Sequence, residues 1–159
     1  MRKLVVLFML VASVSLVSAQ DFDWQTLGEA TYANCLGCHQ ATGEGIPGAF
    51  PALAGHLPNV VAKDGGREYI ISVLLYGLQG EVTVLGDTIN SVMPPWGSLS
   101  DEEIAAVLNH ELHSWGNAES LSEDFAIILP GEVAALRGQG LSSDDVYVLR
   151  GELGLSNDE

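Results

Sequence analysis

Apolar residues recur at helical spacing in three stretches of the chain. The first covers about residues 23–35 and the second about residues 66–78. The third, about residues 100–116, opens with Ser100 and Glu103, which have the spacing of a capping box. These patterns predict three main helices, each with one apolar face. The residues on that face are Trp24, Leu27 and Thr31 in the first helix, Tyr69, Ile70, Val73 and Leu74 in the second, and Ile104, Val107 and Leu108 in the third.

Two intervening segments break the helical pattern. Residues 40–58 are rich in glycine and proline, yet they carry several apolar side chains, which predicts a constrained loop rather than a flexible linker. The stretch "EVTVLGDTIN" alternates apolar and polar residues about Gly86 and Asp87. That alternation predicts a small β-hairpin near residues 81–91.

The C-terminal part of the chain, residues 119–159, contains two shorter helical patterns. One begins at Pro130 and stops at Gly138, and the other runs from about Ser142 to Gly154. Their apolar residues need a surface to bury against, so we expect a helical extension packed on the core rather than a free interaction tail. The predicted fold is therefore all-α, with one small hairpin.

The N-terminus has the composition of a secretory signal peptide. Arg2 and Lys3 precede an apolar run, and short residues at Val17–Ala19 form a cleavage-site pattern. The run is about 14 residues long, shorter than the roughly 20 of a membrane span. We expect residues 1–19 to be removed and the protein to be periplasmic, or otherwise outside the cytoplasmic membrane; an uncleaved anchor is the alternative. The exported part then comprises a domain of residues 20–118 and an extension of residues 119–159.

The charge of the exported part is strongly acidic. The chain has 21 acidic residues, and the basic residues left after cleavage are Lys63, Arg67, Arg137 and Arg150. Binding to nucleic acid or to an anionic membrane surface needs clustered lysine and arginine, so both partner classes are disfavoured.

Both cysteines of the chain lie in "CLGCH", with His39 directly behind Cys38. A disulfide between Cys35 and Cys38 would close a very short loop and add little stability. A zinc site usually needs two such pairs, and a thioredoxin-like pair follows a strand, whereas a helix is predicted before Cys35. The remaining chemistry is covalent attachment of one heme c by both thiols, with His39 as an iron ligand.

A six-coordinate heme iron in an electron carrier needs a second axial ligand, usually Met or His. Met93, in "NSVMPPWG", is the one methionine beyond the signal segment. It is the predicted ligand. The rivals His56, His110 and His113 are interpreted as surface, hydrogen-bonding or half-buried helical residues. The metal ligands predicted are therefore His39 and Met93, and no catalytic residue is predicted.

These motifs resemble class I c-type cytochromes, and more narrowly the small soluble thermophile-type cytochromes c with a C-terminal extension. "CLGCHQATGEGIPGAFPALAGH", "GGREYIISVLLYGLQG" and "DEEIAAVLNH" carry the resemblance, which extends over the rest of the exported chain. The resemblance implies that the Pro51 carbonyl accepts the second ring N–H of His39, that Leu53 packs on the heme, and that Gly28 and Tyr32 face the last core helix.

The family resemblance also implies a function: one-electron transfer in a respiratory chain, without enzymatic chemistry. The leading expectation is a monomeric carrier that meets a membrane terminal oxidase transiently. One alternative changes the partner to another periplasmic reductase or a dehydrogenase. A second, of a different class, is a ligand-binding or peroxidase-like heme protein with an open sixth site. The acidity departs from what is expected of oxidase donors of this type.

Overall fold

The computed structural model describes residues 22–155, which form helices and one two-stranded hairpin. The helices are α1 (Trp24–Tyr32), α2 (Leu36–His39), α3 (Leu57–Val61), α4 (Gly66–Tyr76), α5 (Asp101–His113), α6 (Pro130–Arg137) and α7 (Ser143–Glu152). The strands are β1 (Leu78–Val84) and β2 (Asp87–Met93), and a short 3-10 helix spans Asn117–Ser120. None of the helices within residues 22–155 combines the length and the apolar composition needed to cross a bilayer. The predicted signal peptide, residues 1–19, lies outside the described residues.

Helices α1 and α5 cross at Gly28. A Cβ atom added to Gly28 would lie 2.3 Å from the Ala106 carbonyl oxygen and 2.7 Å from the His110 Cβ. Only a residue without a side chain lets the two backbones approach this closely. The Tyr32 ring packs beside the rings of His110 and Trp115, at centroid distances of 5.3 and 5.1 Å. Gly28 and Tyr32 therefore face the last core helix, as expected from the resemblance.

The first predicted helix is divided in the structure. Helix α1 is capped by Asp23, whose carboxylate accepts from the Thr26 N–H, and it ends at Tyr32 rather than near Cys35. The Thr31 hydroxyl donates to the Leu27 carbonyl, and the Asn34 amide donates to the Thr31 carbonyl. Short polar side chains that bond the backbone in this way compete with helix continuation. The chain therefore turns and restarts as α2.

The β-hairpin is longer than the sequence predicted. Residue Leu78 pairs with Met93 and Val84 pairs with Asp87, so the ladder extends beyond residues 81–91 at both ends. Leu85 and Gly86 both have positive φ, of 49° and 86°, which suits a tight two-residue turn between twisted strands. Helix α4 ends at Tyr76 instead of residue 78, because Gly77 takes a φ of 79° that leaves the helix.

The C-terminal segment packs on the helices that precede it. Helix α6 lies against α4 and α5, and α7 lies against α4 and β1. The Arg137 side chain donates to Asp101 at 2.7 Å and to the Leu99 carbonyl at 2.8 Å. The Tyr76 hydroxyl donates to the Leu136 carbonyl at 2.6 Å. Val146 at the centre of α7 is fully buried in the main core.

Candidate heme site

Helix α2 and the residue before it, Cys35, place the two cysteines and the histidine on a single turn. The Cys38 and His39 N–H groups both point to the Cys35 carbonyl, at 3.2 and 2.9 Å. Residues three and four apart lie on one face of a helix, so the turn gathers all three side chains. Both cysteines are half-buried free thiols, with no disulfide between them.

The ring of His39 is fixed by the loop that follows it. Its Nδ1 lies 2.9 Å from the Pro51 carbonyl oxygen, and the residue is buried. The loop folds back through Ile46, which pairs with Phe50, and a Cβ on Gly45 would lie 2.3 Å from the Phe50 carbonyl oxygen. A carbonyl acceptor requires that Nδ1 carry the proton, which leaves Nε2 as the ligating atom. Burial lowers the pKa of His39, while the hydrogen bond to Pro51 opposes this effect. The ring is therefore suited to the neutral form that metal binding requires.

Met93 is the last residue of β2, beyond the end of the hairpin predicted near residues 81–91. Its backbone runs close to Gly77, where an added Cβ would lie 2.6 Å from the Met93 carbonyl oxygen. After two prolines, the Trp96 N–H donates to the Leu74 carbonyl at 2.7 Å. Met93 belongs to the strand because its backbone pairs with Leu78. The strand ends directly after it, where the two prolines begin.

Two adjoining apolar cavities lie between these elements; counted with their solvent-filled mouths they enclose about 840 and 690 Å³, and we refer to them as the larger and the smaller cavity. His39, Met93, Cys35 and Pro51 line both of them, and Cys38 lines the smaller one. An imidazole and a thioether are a common axial pair for heme iron, and two thiols beside an apolar space suit covalent attachment of a porphyrin. The residues present therefore fit a heme c group.

Leu53 forms part of the wall of the larger cavity. Its N–H donates to the Gly43 carbonyl at 2.7 Å, and its carbonyl accepts from the Asn117 amide at 3.2 Å. The same Asn117 side chain accepts from the Gly55 N–H at 2.7 Å. The 3-10 helix after α5 thus holds the loop that carries Pro51 and Leu53.

The three rival histidines occupy other positions. His110 and His113 do not line either cavity; the His110 ring packs beside Trp115, and the His113 Nδ1 lies 2.8 Å from the Asn109 carbonyl oxygen. His56 is buried on the wall of the larger cavity, so of its two expected roles, surface or hydrogen-bonding residue, the surface position is wrong. The pKa of His56 is lowered to about 4, mainly because the ring is buried and to a smaller extent because of the nearby positive charge of Arg150.

Two charged side chains in the cavity wall were not singled out as site residues from the sequence. Arg150 reaches the cavity from α7 and donates to the Thr83 carbonyl at 2.7 Å. Glu111 reaches it from α5 and is almost fully buried. One available signal was position: Glu111 lies three residues after Leu108 and four after Val107, on the apolar face of its helix.

The chain is similar to known cytochrome c proteins. A family profile described as Cytochrome c matches residues 25–114. A protein named Cytochrome c-552 from one strain of Thermus thermophilus is 46% identical over 155 residues, which cover 98% of this chain and 99% of that protein. A second Cytochrome c-552 from Thermus thermophilus is 51% identical over 131 residues, which cover 82% of this chain and 99% of that protein. The Fructose dehydrogenase cytochrome subunit of Gluconobacter japonicus is 32% identical over 103 residues, which cover 60% of this chain and 20% of that protein.

Proposed function

The chain belongs to the cytochrome c family, and from that premise we propose that it donates electrons to a membrane terminal oxidase. It is an electron-transfer protein rather than an enzyme, with covalently attached heme c and a mostly helical class I fold. The partner is the proposed part. Redox contacts of this kind are small and transient, and the acidic surface suits a partner with a basic docking face.

We assign the heme to the side chains that line the two cavities. The Cys35 and Cys38 thiols would form the covalent links, His39 Nε2 and the Met93 thioether would bind the iron, and the Pro51 carbonyl orients the His39 ring. Leu53 supplies part of the apolar wall. The observation that carries the assignment is that His39 and Met93 line the same cavities while His39 Nδ1 is occupied by Pro51. The bound heme iron supplies one-electron oxidation and reduction.

The remaining parts of the proposal concern the form in which the carrier works. We place the cytochrome domain at residues 20–118 and the extension at residues 119–159, with residues 1–19 as a cleaved signal peptide. The carrier is then a monomer outside the cytoplasmic membrane. Mass analysis of the exported protein tests the cleavage, and light scattering tests the oligomeric state.

A dehydrogenase as redox partner is the second candidate. The similarity to a protein named as the cytochrome subunit of fructose dehydrogenase favours it, although the match covers a fifth of that protein. Stopped-flow mixing of the reduced carrier with a purified terminal oxidase separates the two roles. Rapid oxidation of the carrier by the oxidase that slows with added salt supports the oxidase role. A carrier that a dehydrogenase reduces but that the oxidase does not oxidise contradicts the oxidase role.

Carbon monoxide binding tests the ligand assignment and the different-class alternative together. With both axial positions filled, the unmodified ferrous protein should bind no carbon monoxide at neutral pH. Met93→Ala should open the sixth position and bind it readily, and its midpoint potential should fall because a thioether favours the ferrous state.

Leu99→Ala is the matched control for that experiment. Leu99 lines the larger cavity and is half-buried like Met93, but it has no ligating atom. We expect Leu99→Ala to be less stable and still to exclude carbon monoxide. Ready binding by the unmodified protein would mean an open sixth site, and would favour the ligand-binding or peroxidase-like interpretation.

A further inference from the structure

Glu111 is a carboxyl group inside the proposed heme cavity. It lies in the last turn of α5, is 4% exposed, and lines the larger cavity together with His39 and Met93. Its neighbours along the helix, Leu108 and Leu112, belong to the main apolar core. An acidic side chain at a core position has a high desolvation cost when ionised, so its presence there calls for a physical account.

The surroundings of Glu111 disfavour its ionised form. Burial raises its pKa to about 8, and a hydrogen bond with the Cys35 thiol opposes this rise. The carbonyl ends of the helix, which carry partial negative charge, act in the same direction as burial. Once Cys35 is bound to the heme it has no S–H to donate, so the opposing contribution is lost while the burial remains.

The titratable groups that face Glu111 come from several elements. Burial is the main cause of the raised pKa values of Tyr32 in α1 and of Cys35 before α2, and the negative charge of Glu111 raises both further. The other titratable or charged groups that line the same cavity are His39, His56, Tyr69 and Arg150. Of these, Arg150 is the permanent cation, and the ion pairs found within residues 22–155 do not include it.

We propose that Glu111 is a proton-binding site whose occupancy is coupled to the oxidation state of the protein. Oxidation adds one positive charge to the cavity, and in a region of low dielectric this charge favours the carboxylate over the carboxylic acid. On oxidation, one electron passes to the redox partner, the O–H bond of Glu111 breaks, and the proton passes to solvent. Reduction returns one electron and one proton.

This proposal rests on the electron-carrier function and adds a proton to it. A solely structural Glu111 would contribute packing and a hydrogen bond, and would not link potential to pH. The two roles differ in a measurable way. For a coupled site, Glu111 has one pKa in the ferric protein and a higher one in the ferrous protein. Between these two pKa values, the ferric-to-ferrous ratio at fixed ambient potential rises by up to tenfold per pH unit. This is equivalent to a fall in the midpoint potential of about 59 mV per pH unit for a one-electron couple.

The test is the midpoint potential of the holoprotein, measured by spectroelectrochemistry from pH 5 to pH 10. The unmodified protein should show a potential that falls with pH over part of this range. Glu111→Gln has nearly the same shape and cannot ionise, so it should lack that slope. Its potential should equal that of the unmodified protein at low pH and exceed it at high pH. Glu102→Gln, an exposed residue of the same helix, should keep the slope.

A proton count on the unmodified protein covers the case in which Glu111→Gln does not fold. Oxidation by a chemical oxidant in weakly buffered solution at pH 7–9 should release a fraction of a proton per heme, detected with an indicator dye. Infrared difference spectra should show a carboxylic acid band lost on oxidation. A pH slope that persists in Glu111→Gln, or an unmodified protein with no proton release over this range, overturns the proposal. Neither measurement uses a terminal oxidase, so a failed oxidase assay would leave the proposal intact.

Discussion

Replacing Glu111 by glutamine should change how the stability of the protein depends on pH. The free energy of unfolding varies with pH because the folded and unfolded chains bind different numbers of protons. Glu111 has an ordinary pKa of 4.5 and a folded-state pKa raised to about 8 by burial. Between these values the folded state keeps the proton that the unfolded state releases, so the unmodified protein loses stability as the pH rises.

The size of this effect follows from the two pKa values. The favourable contribution is complete below about pH 4.5, declines by about 1.4 kcal/mol per pH unit, and is gone above about pH 8. The full loss has a ceiling of about 5 kcal/mol. Water entry and local relaxation reduce such penalties in real proteins, so we expect a loss of about 2 kcal/mol or more.

The assay is guanidinium chloride unfolding of the ferrous holoprotein at pH 5, 6, 7 and 8. The ferrous form is used because the extra charge of the ferric form would lower the pKa of Glu111. Glu111→Gln should match the unmodified protein near pH 5 and become the more stable of the two at pH 8. Glu102→Gln serves as the exposed control and should leave the pH dependence unchanged. If the free energy of unfolding changes with pH in the same way for Glu111→Gln and for the unmodified protein, the reasoning is refuted.

Three further perturbations test the packing. Gly28→Val should cost about 1–3 kcal/mol of unfolding free energy, because its Cβ would lie 2.3 Å from the Ala106 carbonyl oxygen; unchanged thermal stability would contradict the close α1–α5 contact. Tyr76→Phe should cost about 1–2 kcal/mol, since its hydroxyl donates to the Leu136 carbonyl, and an equal melting temperature would argue against that anchor. Deleting residues 138–159 should lower the melting temperature because buried apolar contacts are lost, and it should lower the midpoint potential because the cavity loses the cation that α7 supplies. A truncated protein with both values unchanged would refute the packing role of the extension.

Most of the secondary structure follows from local pattern. The capping box of Ser100 and Glu103 is present in the structure, and α5 begins directly after Ser100. Pro130 starts α6, and Ser142 caps α7. Local signals of this kind act within one helical turn, so they can be recognised without knowledge of the fold. The hairpin was recognised from its alternation, but its length was not, because pairing between strands depends on both partners.

The chemistry of the site divides in the same way. The spacing of Cys35, Cys38 and His39, together with the predicted export and the lack of other cysteines, predicts covalent heme, since attachment and ligation use neighbouring residues on one turn. The candidate Met93 followed from the scarcity of methionine beyond the signal segment. In the structure both His39 and Met93 line the same cavities.

The sequence alone predicted the helices α1, α4, α5, α6 and α7 and the heme motif, because each depends on residues close together in the chain. The electron-carrier function followed from the resemblance to a known family. The charged residues inside the cavity were decided only by the tertiary structure. Glu111 and Arg150 are 39 residues apart and belong to helices that look amphipathic in isolation. Whether such a side chain faces water or the cavity depends on how α5 and α7 pack against their neighbours, and that packing is set by many contacts between distant segments.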